Sequence, residues 1–382
     1  MNTCSSKYNS SEQFMAHAVN LALRGRDRTA PNPTVGAVMV CDDRIVAEGW
    51  HQYCGGLHAE RNCIADAITK NVDMTKCTMF VTLEPCNHFG KTPPCTHGII
   101  EAGIPHIVIG TRDPNPKASG GLEFLESKGV KVETGVLEEE CLDIISDFLL
   151  WQNSDRAYSI LKLASTIDGK IGGATGKQEA VSCPESFVDV QNLRAMVGAV
   201  IVGGNTLRED NPSLNCRLEV KPEGFTQPLA VVVTTKLPTN HDDFTLTTTR
   251  AKETIFWTTT EQAASEVAKS LVNKGIEIIP LPQDEKGLIF EDGFKSLREK
   301  HCVLRSLCEG GGKLALSLAE QGLIDEFVMY QTPRILGNAL GRPNFAGSDR
   351  QLMEDALNFR VSRVCQSGQD LKIVFKPVDT DN

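Results

Sequence analysis

Short β-branched runs alternate with helix-periodic segments along the whole chain. Apolar runs at 35–40 and 45–50, parted by Cys41-Asp42-Asp43-Arg44, predict a β-hairpin. Between 58 and 68 the apolar residues Ala59, Cys63, Ile64, Ala67 and Ile68 recur at helical spacing. A strand over 79–83 runs straight into Glu84-Pro85-Cys86, and Pro94 opens a second helix through 100, since a first-turn proline costs no intrahelical bond. Strands at 106–110 and 130–133, then one helix over 137–151, complete the first unit. This order predicts an α/β domain with helices covering a sheet.

A polar break, Gln152-Asn153-Ser154-Asp155-Arg156, marks the expected boundary, and the alternation then restarts. Strands are predicted at 158–164, 199–202, 229–233, 254–258, 276–281, 303–309 and 327–331, with a helix over 184–196. No internal repeat or low-complexity segment interrupts them. Two α/β domains, 1–151 and 156–382, suit 382 residues at roughly 100–200 per domain.

Composition narrows the class. With 41% hydrophobic and 23% charged residues the chain is globular, and no run approaches the roughly 18 apolar residues of a membrane span. Thirty-nine basic against 49 acidic residues give a net charge of −10, with no basic run to track a phosphate backbone. The N-terminal MNTCSSKYNSSEQF lacks the basic-then-apolar order of a signal peptide, so export is not expected. In a chain expected to stay in the cytoplasm, thirteen cysteines predict free thiols rather than disulfides.

The histidines point to a site. Six of eight (His17, His51, His58, His88, His97, His106) lie before residue 107, so metal or acid/base chemistry is expected in the first domain. His58-Ala59-Glu60 opens a predicted helix, and Pro85-Cys86 follows, with Cys95 nine positions on. One imidazole and two thiolates are a three-ligand zinc set that leaves the fourth tetrahedral position open for water. Glu60 is the expected proton carrier, as in the His-x-Glu…Pro-Cys…Cys signature of zinc deaminases. Here Cys-x8-Cys replaces Cys-x2-Cys, and the insert places His88 and Lys91 beside the metal. Taken singly, each of these residues reads better as a core thiol or a satisfied helix histidine; the ordered set reverses that and favours zinc.

HAE, then VTLEPCNHFGKTPPC, then RDPNP, with APNPTVGAVMV upstream, closely resembles the bifunctional riboflavin-biosynthesis deaminase–reductase family of bacteria. The resemblance runs nearly to the C-terminus. It implies an N-terminal cytidine-deaminase-like α/β/α domain and a C-terminal dihydrofolate-reductase-like α/β domain. It also implies that Asn32, His51, His88, Lys91, Asp113 and Asn115 surround the pyrimidine and its phosphoribosyl group. The loop Lys117-Ala118-Ser119-Gly120-Gly121 looks one residue shorter than is usual there.

In the second domain the resemblance rests on LKLASTIDGK (161–170), VGGNTLREDNPSLNCR (202–217) and EGGGK (309–313). Glycines between a strand and a helix let a pyrophosphate approach backbone amides, although neither GxxxxGK[ST] nor GxGxxG is met. The family implies cofactor contacts at Ala164, Ala180, Thr206, Asp210, Gly311, Gly312 and Lys313. It places Gln178, Arg194, Leu214, Arg217 and Glu309 at the substrate. Arg194 and Arg217 could fork onto a phosphate. Lys162, on a predicted buried strand, and Asp210 are expected near the reacting carbon, with Glu309 or Asp210 as the lysine's partner. Three departures stand out: Ala180 where the family commonly has tryptophan, Ala230 for arginine and Thr234 for aspartate.

The resemblance therefore implies two consecutive steps. Zinc-dependent hydrolytic deamination of a diaminopyrimidinone is followed by NADPH reduction of its ribosyl group to ribityl, in a homo-oligomer (dimer or tetramer). The rival readings are a deaminase whose second domain binds ligand without reducing it, a nucleic-acid deaminase, which the acidic balance opposes, and a structural zinc module.

Overall fold

The computed structural model describes residues 9–89, 93–113, 115, 120–175, 179–222 and 224–378. It divides into two compact units, Met1–Asn153 and Ser154–Asn382.

The first unit is a five-stranded sheet of order β2-β1-β3-β4-β5. The hairpin β1 (Gly36–Cys41) and β2 (Arg44–Trp50) pairs antiparallel with β3 (Thr78–Leu83). From there β3, β4 (His106–Thr111) and β5 (Lys131–Thr134) run parallel. Period-two alternation sends Val38, Val40, Phe80 and Val108 to one face, where they pack on Met15, Ala18 and Leu21 of α1 (Ser10–Ala22) and on Cys141. Helices α2 (Ala59–Thr69) and α3 (Cys95–Glu101) pack together, α2 against β1 and β2; α4 (Gly121–Ser127) precedes β5. The helix expected over 137–151 is in fact two, α5 (Glu138–Ile144) and α6 (Ser146–Asn153). Ile145 leaves the helical region between them (φ −110°, ψ 10°).

The second unit is built on nine strands, β11-β10-β9-β8-β14-β6-β15-β18-β17. These are β6 (Tyr158–Ser165), β8 (Ala199–Gly203), β9 (Leu229–Val233), β10 (Thr254–Thr259), β11 (Glu277–Leu281), β14 (Arg305–Cys308), β15 (Glu326–Gln331), β17 (Phe359–Ser367) and β18 (Asp370–Pro377). Two-stranded ribbons add β7 (Lys170–Gly172) to β16 (Arg342–Pro343) and β12 (Gln283–Asp284) to β13 (Gly287–Leu288). All neighbours from β11 to β15 are parallel, and β18 runs antiparallel to both its neighbours, β15 and β17. Leu161 and Leu163 of β6 enter the apolar core with Trp257, Phe294 and Ala315. Lys162 and Ala164 consequently face the other side of the sheet. Helices α7 (Pro184–Ala195) and α8 (Gly204–Asp210) flank β8 in the chain.

Candidate active sites

Three elements carry the zinc set. His58 stands in extended conformation as the N-cap of α2, Cys86 follows β3, and Cys95 is the first residue of α3. The ligand atoms all lie within 4.8 Å of one another, with His58 Nδ1 3.6 Å from Cys86 Sγ and 3.4 Å from Cys95 Sγ. The Cys95 amide donates to Cys86 Sγ at 3.4 Å. The Cys95 thiol and His58 also donate to Cys86 and pull its pKa down to about 4, so it holds a thiolate ready for a cation. Cys95 is driven the other way by the same bond and by burial. This donor set, one imidazole and two thiols in van der Waals range, suits tetrahedral zinc.

Glu60 is 3% exposed, and burial lifts its carboxyl to about 7. It lines a cavity of about 220 Å³ together with His58 and Cys86. Asn32, His51, His88, Asp113 and Asn115 line the same cavity, joined by Val35, Leu83 and Phe148. His51 Nδ1–H donates to Leu57 O at 3.0 Å, which leaves Nε2 to accept from Asn32 Nδ2 at 3.2 Å. Burial lowers the His51 pKa and favours this neutral tautomer. The Asp113 carboxylate accepts from Asn115 N at 2.9 Å, and burial raises its pKa. Lys91 lies outside the described residues, as does most of the shortened loop after Asn115.

Glu84 went unnoticed in the sequence, yet it organises this pocket's wall. Its carboxylate, 5% exposed, accepts four backbone N–H bonds: Gly120 (3.0 Å), Gly121 (2.8 Å) and Leu122 (3.1 Å) on Oε1, and Asp113 (3.1 Å) on Oε2. A Cβ on Gly121 would lie 2.0 Å from Pro85 O, so only glycine lets α4 close on the end of β3. The available signal was a carboxylate directly before Pro85-Cys86, at a strand end where charge needs partners.

The second unit's predicted residues fall into two groups. Lys162 is half-buried, and desolvation lowers its pKa while the Glu309 carboxylate opposes that shift. Glu309 takes a bidentate pair from Arg194, at 2.6 Å (Nε to Oε1) and 3.0 Å (Nη2 to Oε2). Arg194 gives its remaining nitrogen to Asn215 O at 2.9 Å, so its fork is spent on Glu309. Arg217 acts electrostatically on Glu309 and donates to Ser213 Oγ at 3.3 Å. Leu214 is buried in a left-handed conformation (φ 53°) between them.

Asp210 departs from expectation. It answers to burial, Glu209 and Arg342, not to Lys162, because it ends α8 while Lys162 lies on β6. Of the two partners expected for Lys162, only Glu309 interacts with it.

The other group lines a cavity of about 500 Å³: Thr206, Gly311, Gly312 and Lys313. Ala164, Ala180 and Asp210 do not line it, and Gln178 lies outside the described residues. The cavity adds residues that the sequence had not singled out, among them Gly203, Gly204, Arg208 and Thr235. Two of the three departures take definite places. Thr234 lines the cavity, whereas Ala230 is fully buried in β9. Buried Arg250 donates to Ser213 O at 2.6 Å and to Pro228 O at 2.7 Å, so a cation still reaches the start of β9.

Comparison with known proteins covers both units. Residues 8–111 match the cytidine and deoxycytidylate deaminase zinc-binding region, and residues 157–373 match the RibD C-terminal domain. The chain is 36% identical over 366 residues to riboflavin biosynthesis protein RibD of Aquifex aeolicus, covering 96% of this chain and 98% of that one. It is 32% identical to the Escherichia coli protein of the same name, covering 94% and 97%. Among solved structures it is similar to a diaminohydroxyphosphoribosylaminopyrimidine deaminase/5-amino-6-(5-phosphoribosylamino)uracil reductase from Thermotoga maritima. That match has a TM-score of 0.71 and 35% identity, over 97% of this chain and 99% of that one.

Proposed function

This chain belongs to the RibD family of riboflavin-biosynthesis proteins, bifunctional deaminases and reductases, and from that membership we propose the part each residue plays. The enzyme deaminates 2,5-diamino-6-(5-phosphoribosylamino)pyrimidin-4-one by hydrolysis and then reduces the ribosyl group to ribityl, using zinc and NADPH. The observation that carries the residue assignment is the convergence of His58, Cys86 and Cys95 beside Glu60 on one small cavity.

In the first step His58, Cys86 and Cys95 hold the zinc. Zinc, when bound, supplies the Lewis acidity that makes water nucleophilic near neutral pH. Glu60 takes a proton from the attacking water and returns it to the departing amino group; its carboxyl, lifted to about 7, suits both directions. Asn32 and His51, locked to each other, orient the pyrimidine edge, while His88, Asp113 and Asn115 bound the phosphoribosylamino end.

In the second step Gly311, Gly312, Lys313 and Thr206 hold NADPH, which supplies the reducing equivalent. Lys162, whose cationic form the Glu309 carboxylate favours against desolvation, polarises the sugar and protonates it. Arg217 is the phosphate ligand, and Arg194 fixes Glu309 rather than the substrate.

No helix among the described residues is long and apolar enough to cross a membrane. A cytoplasmic location is supported by the substrates themselves, phosphorylated and charged, which do not cross hydrocarbon. A homo-oligomer is supported by the edge strand β17, which exposes Val361 (57%) and Val364 (54%). Metal analysis of the purified protein, combined with ammonia release and NADPH absorbance on the two substrates, tests the assignment. An absent zinc or an unchanged NADPH signal defeats the corresponding half.

A further inference from the structure

Two of the zinc ligands stand at helix starts, His58 as the N-cap of α2 and Cys95 as the first residue of α3. A Cys-x2-Cys pair is held together by its own short turn, whereas eight residues part Cys86 from Cys95 here. A longer loop restrains its ends less. The position of Cys95 therefore depends on tertiary contacts at the start of α3. On one side the Thr96 hydroxyl donates to Asn87 Oδ1 at 2.9 Å and the Thr96 amide to Cys86 O at 3.4 Å, which ties α3 to the Cys86 segment. On the other side α3 meets α2, the helix of His58.

Arg61 spans that second contact. It lies three residues after His58 on α2, and its Nη2 donates to Pro94 O at 2.9 Å, the carbonyl immediately before Cys95. A Cβ on Gly98 of α3 would sit 2.3 Å from Arg61 Cζ and Nη1 and 2.6 Å from Nε. The guanidinium thus rests on the α3 backbone, in space that a glycine leaves open. Arg61 Nη1 also stands 3.7 Å from Glu101 Oε2, but that carboxylate is 72% exposed, and such a surface pair contributes little. The Pro94 bond carries more weight, because Pro94 is buried and water replaces a lost donor poorly there. The α2 end of the link is itself fixed, since Asn62 donates to Trp50 O at 2.7 Å and to Leu57 O at 3.2 Å.

We propose that Arg61 is a positioning residue for the deaminase step: it holds the start of α3 on α2, fixes the spacing of His58 and Cys95, and so sets how tightly zinc is bound. The inference rests on the reading of His58, Cys86 and Cys95 as the zinc ligands. Arg61 is not one of the described residues that line the cavity, so it acts through the ligands and not on the pyrimidine.

Zinc affinity of the full-length protein, read by competition with a chromogenic chelator, tests this role. Contacts that orient metal ligands from outside are worth roughly 10- to 100-fold in affinity, and Arg61→Ala should lose that much. Arg61→Lys, whose ammonium can still donate to Pro94 O, should recover part of it. Ammonia release by Arg61→Ala should need correspondingly more added zinc to reach half its maximum. A second variant separates positioning from bracing of the fold. In Arg61→Ala/Gly98→Ala the new methyl enters the space left by the guanidinium, and alanine favours the helix, so Tm should return towards wild type. Zinc affinity should stay weakened. An affinity unchanged in Arg61→Ala, or one that returns with Tm in the double variant, overturns the proposal. Wild-type protein that binds no zinc removes the ligand assignment itself, and the proposal with it.

Discussion

In the first unit the predicted chemistry converges: His58, Cys86 and Glu60 line a cavity of about 220 Å³, and Cys95 lies within 4.8 Å of the other two ligands. In the second unit it divides between a half-buried charge cluster, Lys162–Glu309–Arg194, and a separate cavity of about 500 Å³. The difference follows from what each reaction needs. A hydrolysis at one carbon needs a metal set and one proton carrier within bonding distance. A hydride transfer needs a long cofactor stretched across several strand ends, so binding and chemistry occupy different places.

The largest expected effect tests the converged site. Glu60→Gln removes the proton carrier but keeps shape, so ammonia release should fall by about 10²–10⁴-fold. Zinc content, read by metal analysis, should stay at wild-type level, and NADPH-dependent reduction of the deaminated intermediate should be unchanged. Retained ammonia release would break the assignment of Glu60. Loss of both activities would break the independence of the two units.

A smaller loss, about 10²-fold in reduction, is expected for Lys162→Ala. The pH profile is the sharper probe. Burial lowers the Lys162 pKa below the usual lysine value, and the protonated form is the one that acts. Reduction should therefore decline as pH rises through a value below the ordinary lysine range, and be complete at lower pH. Lys162→Arg keeps the charge and should remove that alkaline limb. A limb that persists in the arginine variant assigns it to another group.

The two sites were not equally legible in the sequence. The zinc set could be read because each ligand sits at the boundary of a local element: an N-cap, a strand exit, a first helical turn. Lys162 was placed on a buried strand by alternation alone, and its partner was left open between Glu309 and Asp210. That choice needed the sheet order, since β14 lies beside β6 while Asp210 ends a helix beyond β8. Elsewhere the same limit applies. The break at Ile145 is hidden because Cys141, Ile144, Ile145 and Phe148 keep one apolar stripe across it. Helix α1 carried a readable capping box, Asn9 with Glu12, that went unused. The hairpin β17–β18 escaped detection because its edge strand exposes Val361 and Val364, which blurs the alternation.

Glu84 gives the finest test of what convergence requires. Glu84 lines the cavity, and its carboxylate ties the end of β3, two residues before Cys86, to the segment carrying Asp113 and to the start of α4. Glu84→Ala leaves four N–H groups, those of Gly121 and Leu122 buried, without that acceptor and should cost about 1.5–3 kcal/mol of stability, seen as a lower Tm. Glu84→Gln keeps one carbonyl oxygen for the Gly120–Leu122 amides and should restore most of the Tm. If Glu84 only braces the fold, KM for the pyrimidine should follow wild type in the glutamine variant. If it positions Asp113, KM should stay raised by roughly 10-fold with kcat and zinc content near wild type, because the amide nitrogen replacing Oε2 cannot accept from Asp113 N. That split between KM and kcat, measured on the deaminase step alone, decides whether the pocket's wall is held by packing or by one buried charge.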